Sequence, residues 1–132
     1  LTPNFTYKEL ECHCGCGLLP APALSWKLQG TRNKLGLPIV LSCAARCLKH
    51  NRDVGSRDTS MHPQLFAADV VKIGTRDARR SPVDAEWIAS LMRSNGWYCY
   101  VEIDHVHCDM RTWFPEILAL RKEYGDYEKG NR

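Results

Sequence analysis

Apolar residues recur at different periods along this chain, and each change of period marks an element. From Ala21 to Leu35, Leu24, Trp26, Leu28 and Leu35 stand among polar residues in an imperfect helical spacing that Gly36 and Pro38 close, which predicts a helix. Pro38 to Cys43 is a short apolar, β-branched run and reads as a strand. Ala67 to Ile73 reads the same way, and a long polar loop separates the two. A second helix is signalled by Ser81 as N-cap, Pro82 at the first helical position, and Asp84 and Glu86 in the first turn, where negative charge suits the helix dipole. Val83, Trp87, Ile88, Leu91 and Met92 give it one apolar face as far as about Ser94, and Asn95-Gly96 stops it. Trp97 to Ile103 and His105 to Met110 alternate as strands do, and Phe114 to Tyr124 has the pattern of a closing helix. The sum is a small α+β domain, with helices packed on a central antiparallel or mixed sheet.

With 132 residues, 44% of them hydrophobic, the chain is expected to fold as one domain around one core. It contains no internal repeat, low-complexity tract or linker. No stretch approaches the roughly 20 apolar residues of a membrane span. The start LTPNFTYKEL lacks the basic and apolar runs of a signal peptide, so delivery outside the cell would need a leader already removed or a phage-type release. The net charge of +3 is mild and spread out. The densest basic cluster, Arg76, Arg79 and Arg80, is broken by Asp77 and reads as a solvated loop rather than a nucleic-acid stripe. A weakly cationic surface does suit approach to an anionic cell wall.

The chemistry gathers in two short segments, SMHPQLFAAD at 60–69 and IDHVHCD at 103–109, which hold most of the histidines. A catalytic zinc ion takes three protein ligands and keeps one position open, and His62, Asp69 and His107 can supply the three. Each also has an ordinary reading: His62 as a loop histidine, Asp69 as a surface acid on a strand, and His105 and His107 as two residues sharing one strand face.

The spacing Ser60-x-His62-x6-Asp69, followed by Asp104-x-x-His107, resembles the zinc D-Ala-D-Ala carboxypeptidase family and its peptidoglycan endopeptidase relatives. Upstream, Ser42-Cys43-Ala44-Ala45-Arg46-Cys47, then Asn51 and Val54-Gly55, is similar to that family's S-G-x-R-C, Asn, V-G succession. Phe5 to Cys12 matches the family's start more loosely. The resemblance implies a hedgehog-like or DD-peptidase-like fold with one catalytic Zn2+ on His62, Asp69 and His107. It makes Asp104 the acid/base and Arg46 the cation that steadies the oxyanion. It puts Ser60, His105 and Asn51 on the substrate side, with a turn-forming role for Ser60 and a structural role for His105 as the alternatives.

Because positions 104 and 107 of a regular strand point to opposite faces, Asp104 is expected in a loop or bulge just before the strand. Asp109 is expected behind the site or as a partner of Arg111. Two departures from the family pattern, Leu65 and Cys43 where glycine is usual, predict altered loop geometry.

The implied substrate is the peptidoglycan stem peptide, cut at the terminal D-Ala or, as in a phage endolysin, internally at L-Ala-D-Glu. A monomer without nucleic-acid partner or membrane insertion is expected, acting at the bacterial cell wall. The rival is a non-catalytic zinc-containing binding module, as in the related hedgehog signalling domain, which Asp104 and Arg46 argue against. A DNA-binding zinc protein stands further off.

Seven cysteines cannot all pair within one chain. Cys99 and Cys108 read as small buried hydrophobes. For Cys12, Cys14 and Cys16, a disulfide to Cys47 or Cys43 ranks first, free thiols second, and a second, structural zinc ion last.

Overall fold

The computed structural model describes residues 2–57, 60, 62, 63 and 65–113. Its elements run α1 (Tyr7–Leu10), α2 (Pro22–Leu35), β1 (Ile39–Cys43), α3 (Leu48–Asp53), β2 (Ala67–Ile73), β3 (Arg76–Asp77), α4 (Pro82–Ser94), β4 (Tyr98–Val101) and β5 (Val106–Asp109), followed by a 3-10 turn at Arg111–Trp113. The four helices and the antiparallel sheet of five strands make the α+β architecture expected. The proposed closing helix at Phe114 to Tyr124 lies outside the described residues.

Local chemistry accounts for the helix ends. Ser81 Oγ accepts from Asp84 N ahead of α4, and Gly36 ends α2 in the left-handed conformation at φ 66°. Thr6 and Glu9 form a reciprocal capping box around α1, a helix the apolar pattern is too short to reveal. In the polar loop after β1, Cys47 caps α3 with its sulfur; six residues with little apolar content carry no periodic signal.

The sheet order is β1-β2-β5-β4, and β3 pairs with the end of β2 beyond β5. Between β2 and β5, Asp69 stands opposite His107 and Val70 opposite Val106; between β4 and β5, Cys99 stands opposite Cys108. One sheet face carries Ala68, Val70, Val106, Cys99 and Cys108, which pack in one cluster with Ala85, Ile88, Ala89 and Met92 of α4 and Leu24 and Leu28 of α2. The buried face of α4 is therefore 85, 88, 89 and 92, a spacing of three, one and three. Val83, expected on that face, is 71% exposed because it lies in the first turn, pointing off the sheet.

The other face presents Asp69 and His107. A row of cross-strand neighbours, Cys43, Asp69, His107 and Tyr100, runs across β1, β2, β5 and β4. Register shifts in the β1–β2 pairing bring Cys43 rather than Ser42 opposite Asp69. Cys99 and Cys108 are buried as expected, their sulfurs 3.3 Å apart.

Candidate metal and catalytic site

His62, seven residues upstream, and His107, from a strand distant in sequence, both approach Asp69. Its Oδ1 lies 3.0 Å from His62 Nε2 and 3.5 Å from His107 Nδ1, and the two imidazoles meet edge to face with centroids 5.2 Å apart. Ligands around a tetrahedral zinc ion at its usual N and O distances sit about 3.3 Å from one another, close to the two spacings made by Asp69 Oδ1.

The outward ring nitrogens are already committed. His62 Nδ1 is 2.7 Å from the Ala44 carbonyl, and His107 Nε2 is 2.7 Å from Asp109 Oδ2. In a neutral ring, donation outward would leave a lone pair on the inward nitrogen, the tautomer a metal requires. Asp109, fully buried, is held in turn by Arg111 through Nε and Nη2 and through the Arg111 backbone N–H. It therefore fills both roles expected of it, behind His107 and against Arg111. Tyr100 stacks on His107 at 4.4 Å and fixes the ring plane.

All three side chains are buried, so their charges are set by one another. Burial opposes protonation of His62, but its hydrogen bond to Asp69 outweighs that and lifts its pKa to about 9. Burial alone would raise the Asp69 pKa, yet hydrogen bonds from His107 and His62 drive it far below the usual carboxylate range. Asp109 behaves alike: burial is overcome by His107 and Arg111, leaving it at about 2. Without metal, a proton on His62 neutralises Asp69; a dication can take that place.

Among the described residues, the histidine-and-carboxylate group whose ligand atoms all lie within 4.8 Å of one another is Cys43, His62 and Asp69, and it does not include His107. Cys43 Sγ, however, approaches the Nδ1 side of His62, at 4.0 Å, where the nitrogen is engaged by Ala44, and it accepts from Arg46 Nη2 at 3.3 Å. The sulfur flanks the site rather than sharing the pole where His62 Nε2 and Asp69 meet. Cys43, where glycine is usual, ends β1 next to a register shift in the β1–β2 pairing. Leu65 differs: it keeps a left-handed φ of 68° in the turn that its N–H closes onto the His62 carbonyl.

Above the triad opens a cleft of about 350 Å³ bordered by Arg46, Ser56, Ser60, Tyr100, Glu102 and His105 together with the triad residues. Arg46 Nη2 is 3.5 Å from Asp69 Oδ2, and Nη1 donates to Asn51 Oδ1 and Ser56 Oγ. Ser60 borders the cleft, and its hydroxyl accepts from His62 N at 3.3 Å. Asn51 does not touch the cleft. It is fully buried, with its carbonyl oxygen accepting from Arg46 and its amide donating to Arg57 O.

Asp104 precedes β5, and it is not among the residues that border the cleft. Its side chain is 74% exposed and Oδ1 lies 2.8 Å from His105 Nδ1, while His105 Nε2 is 3.6 Å from Asp69 Oδ2. The irregular backbone ahead of β5 thus brings His105, not Asp104, beside Asp69. Glu102, also on the cleft wall, was not singled out in the sequence because it belongs to no spaced pair. Its backbone N–H bonds the His105 carbonyl and closes the β4–β5 turn at 2.9 Å.

Two histidines and a buried carboxylate beside an open cleft are donor types that a divalent ion takes. The chain belongs to the peptidase M15 family: the family model described as Peptidase M15 matches residues 3–109. That is a family of zinc D-Ala-D-Ala carboxypeptidase-like enzymes. No curated protein matches the chain. Among the described residues no helix is long and apolar enough to cross a membrane.

Proposed function

We propose that this chain is a zinc-dependent peptidase acting at the bacterial cell wall, and that it hydrolyses a peptide bond of peptidoglycan stem peptides in the manner of a D-Ala-D-Ala carboxypeptidase. The observation that carries the reading is the convergence of His62 Nε2 and His107 Nδ1 on Asp69 Oδ1 beneath an open cleft.

Those three residues would hold the ion, which when bound supplies a Lewis acid for the scissile carbonyl and an acidified water. Arg46, kept in place by Asn51 and Ser56, offers a fixed cation where negative charge grows on the carbonyl oxygen. Proton transfer falls to His105. Asp104 holds its Nδ1–H, which leaves Nε2 facing the cleft to take a proton from the nucleophile and return it to the leaving amine. In this scheme Asp104 orients the base and does not itself reach the substrate. Ser60 and Glu102 are polar groups on the cleft wall suited to the peptide's amides.

The test is incubation of the purified chain with defined muropeptides, with and without a chelator, and product identification by mass. Chelator-sensitive release of D-Ala is expected. Cleavage of L-Ala-D-Glu instead would move the protein to the endopeptidase type, and absence of any chelator-sensitive product would overturn the hydrolase reading.

A further inference from the structure

The N-terminal cysteines are not scattered thiols. Cys12, Cys14, Cys16 and Cys47 offer sulfurs that all lie within 4.8 Å of one another, with Cys12 to Cys14 at 3.4 Å and Cys14 to Cys47 at 3.6 Å. We propose that these four thiolates hold a second divalent ion of the zinc class in a closed, structural site, separate from the Asp69 centre. It staples the N-terminal segment to the turn that carries Arg46.

The separations suit a tetrahedral zinc tetrathiolate, whose sulfurs stand about 3.8 Å apart for bonds of about 2.3 Å. A disulfide joins two sulfurs at about 2.05 Å and explains the approach of two cysteines, not the convergence of four. That convergence reverses the order expected from sequence, where C-x-C-x-C lacked the usual C-x2-C spacing. Backbone geometry resolves the difference. Gly15 at φ 87° and Gly17 at φ 80° turn the segment back on itself, and bonds from Cys12 N to Leu18 O and from Gly15 N to Cys12 O close it. A Cβ at either glycine would meet no atom within 4 Å, so it is the backbone conformation and not space that calls for glycine.

A second observation points the same way. Four thiolates on one dication leave a surplus of negative charge, which zinc-thiolate sites offset with N–H donors to sulfur. Here Cys47 N donates to Cys12 Sγ at 3.3 Å, His50 N donates to Cys47 Sγ at 3.3 Å, and His50 Nδ1 lies 3.4 Å from Cys12 Sγ. On binding, each thiol releases its proton to solvent and the sulfur lone pair forms the metal bond. Four protein ligands leave no open position, which separates this structural role from the catalytic one. The staple adds to the bond from Ala45 N to Leu10 O, so the strand end before Arg46 and the helix after it are both tied to the N-terminal segment.

The experiment uses the full chain purified under reducing conditions, with zinc content and cadmium titration as readouts. Two ions per chain are expected, together with a sulfur-to-cadmium charge-transfer band in the ultraviolet. Cys14→Ser with Cys16→Ser should remove that band and one ion; His62→Ala should remove one ion and keep the band. A wild-type chain that holds one ion and shows no thiolate band, or whose intact mass shows the four cysteines paired as two disulfides in zinc-containing buffer, would overturn the proposal. The cadmium spectrum is read on the wild type, so the outcome stands even if the double variant fails to fold.

Discussion

Asp69 and His107 stand directly opposite each other across β2 and β5, with Asp69 Oδ1 3.5 Å from His107 Nδ1. Side chains of paired residues share a sheet face, so this register alone delivers two of the three proposed ligands. The third, His62, comes from the loop before β2 and is aimed by the Ala44 carbonyl at the end of β1. Two of the three side chains thus stand on paired strands and one on a loop, so each can be tested by mutation.

Removing any one of the three should abolish tight metal binding at this site. His62→Ala, His107→Ala and Asp69→Asn are each expected to lower hydrolysis by about 10³-fold or more, since both the Lewis acid and its water are lost. Metal content measured alongside stem-peptide hydrolysis checks this; a variant that keeps its metal and its rate removes that residue from the ligand set.

Asp109→Asn should leave the fold in place but weaken the hold on His107 Nε2, which the carboxylate meets at 2.7 Å. A loss of roughly 10–100-fold in metal affinity is expected, the usual effect of changing the residue behind a metal-binding histidine. Competition against a chelator of known affinity measures it, with circular dichroism as the control for folding.

Metal binding should depend on pH through His62. In the metal-free protein its pKa is raised to about 9, so the ring is protonated below that pH, whereas a metal ligand must be neutral. Affinity should therefore climb about tenfold per unit from about pH 7 to about pH 9 and then level off. Proton release, followed calorimetrically in buffers of different ionisation enthalpy, gives the count directly. Affinity that stays flat over this range would rule out a proton on His62.

The His105 and Asp104 roles can be told apart by rate. His105→Ala is expected to cost about 10²–10⁴-fold in kcat, as loss of a proton carrier does, with metal content unchanged. Asp104→Asn should cost far less, because only the orientation of the ring is affected. A Glu102→Gln variant as slow as His105→Ala would transfer the proton-carrying role to Glu102.

Leu65 holds a left-handed backbone at φ 68°, where L-residues lose roughly 1–2 kcal/mol. Leu65→Gly relieves that strain at a cost of about 0.5–1 kcal/mol in unfolded-state freedom. A net gain of roughly 0–1.5 kcal/mol in denaturant unfolding follows. Leu65→Ala keeps the strain and should show no gain.

Much was determined by the sequence alone. The spans of α2, α4, β1 and β2 follow from apolar period and capping residues, and Ser81-Pro82 and Gly36 mark helix ends that the backbone obeys. His62, Asp69 and His107 stand as candidate ligands because their spacing resembles that of the zinc D-Ala-D-Ala carboxypeptidase family and their residue types are ones that zinc takes. Tertiary structure decided the rest. Whether Asp104 or His105 enters the cleft depends on two residues of irregular backbone ahead of β5; Asn51 lies under Arg46 because α3 packs there. The meeting of Cys47 with Cys12, Cys14 and Cys16 joins positions more than thirty residues apart. Local pattern specifies period and caps, while proximity between distant segments is set by how the sheet and its loops close, and that information resides in no single stretch of chain.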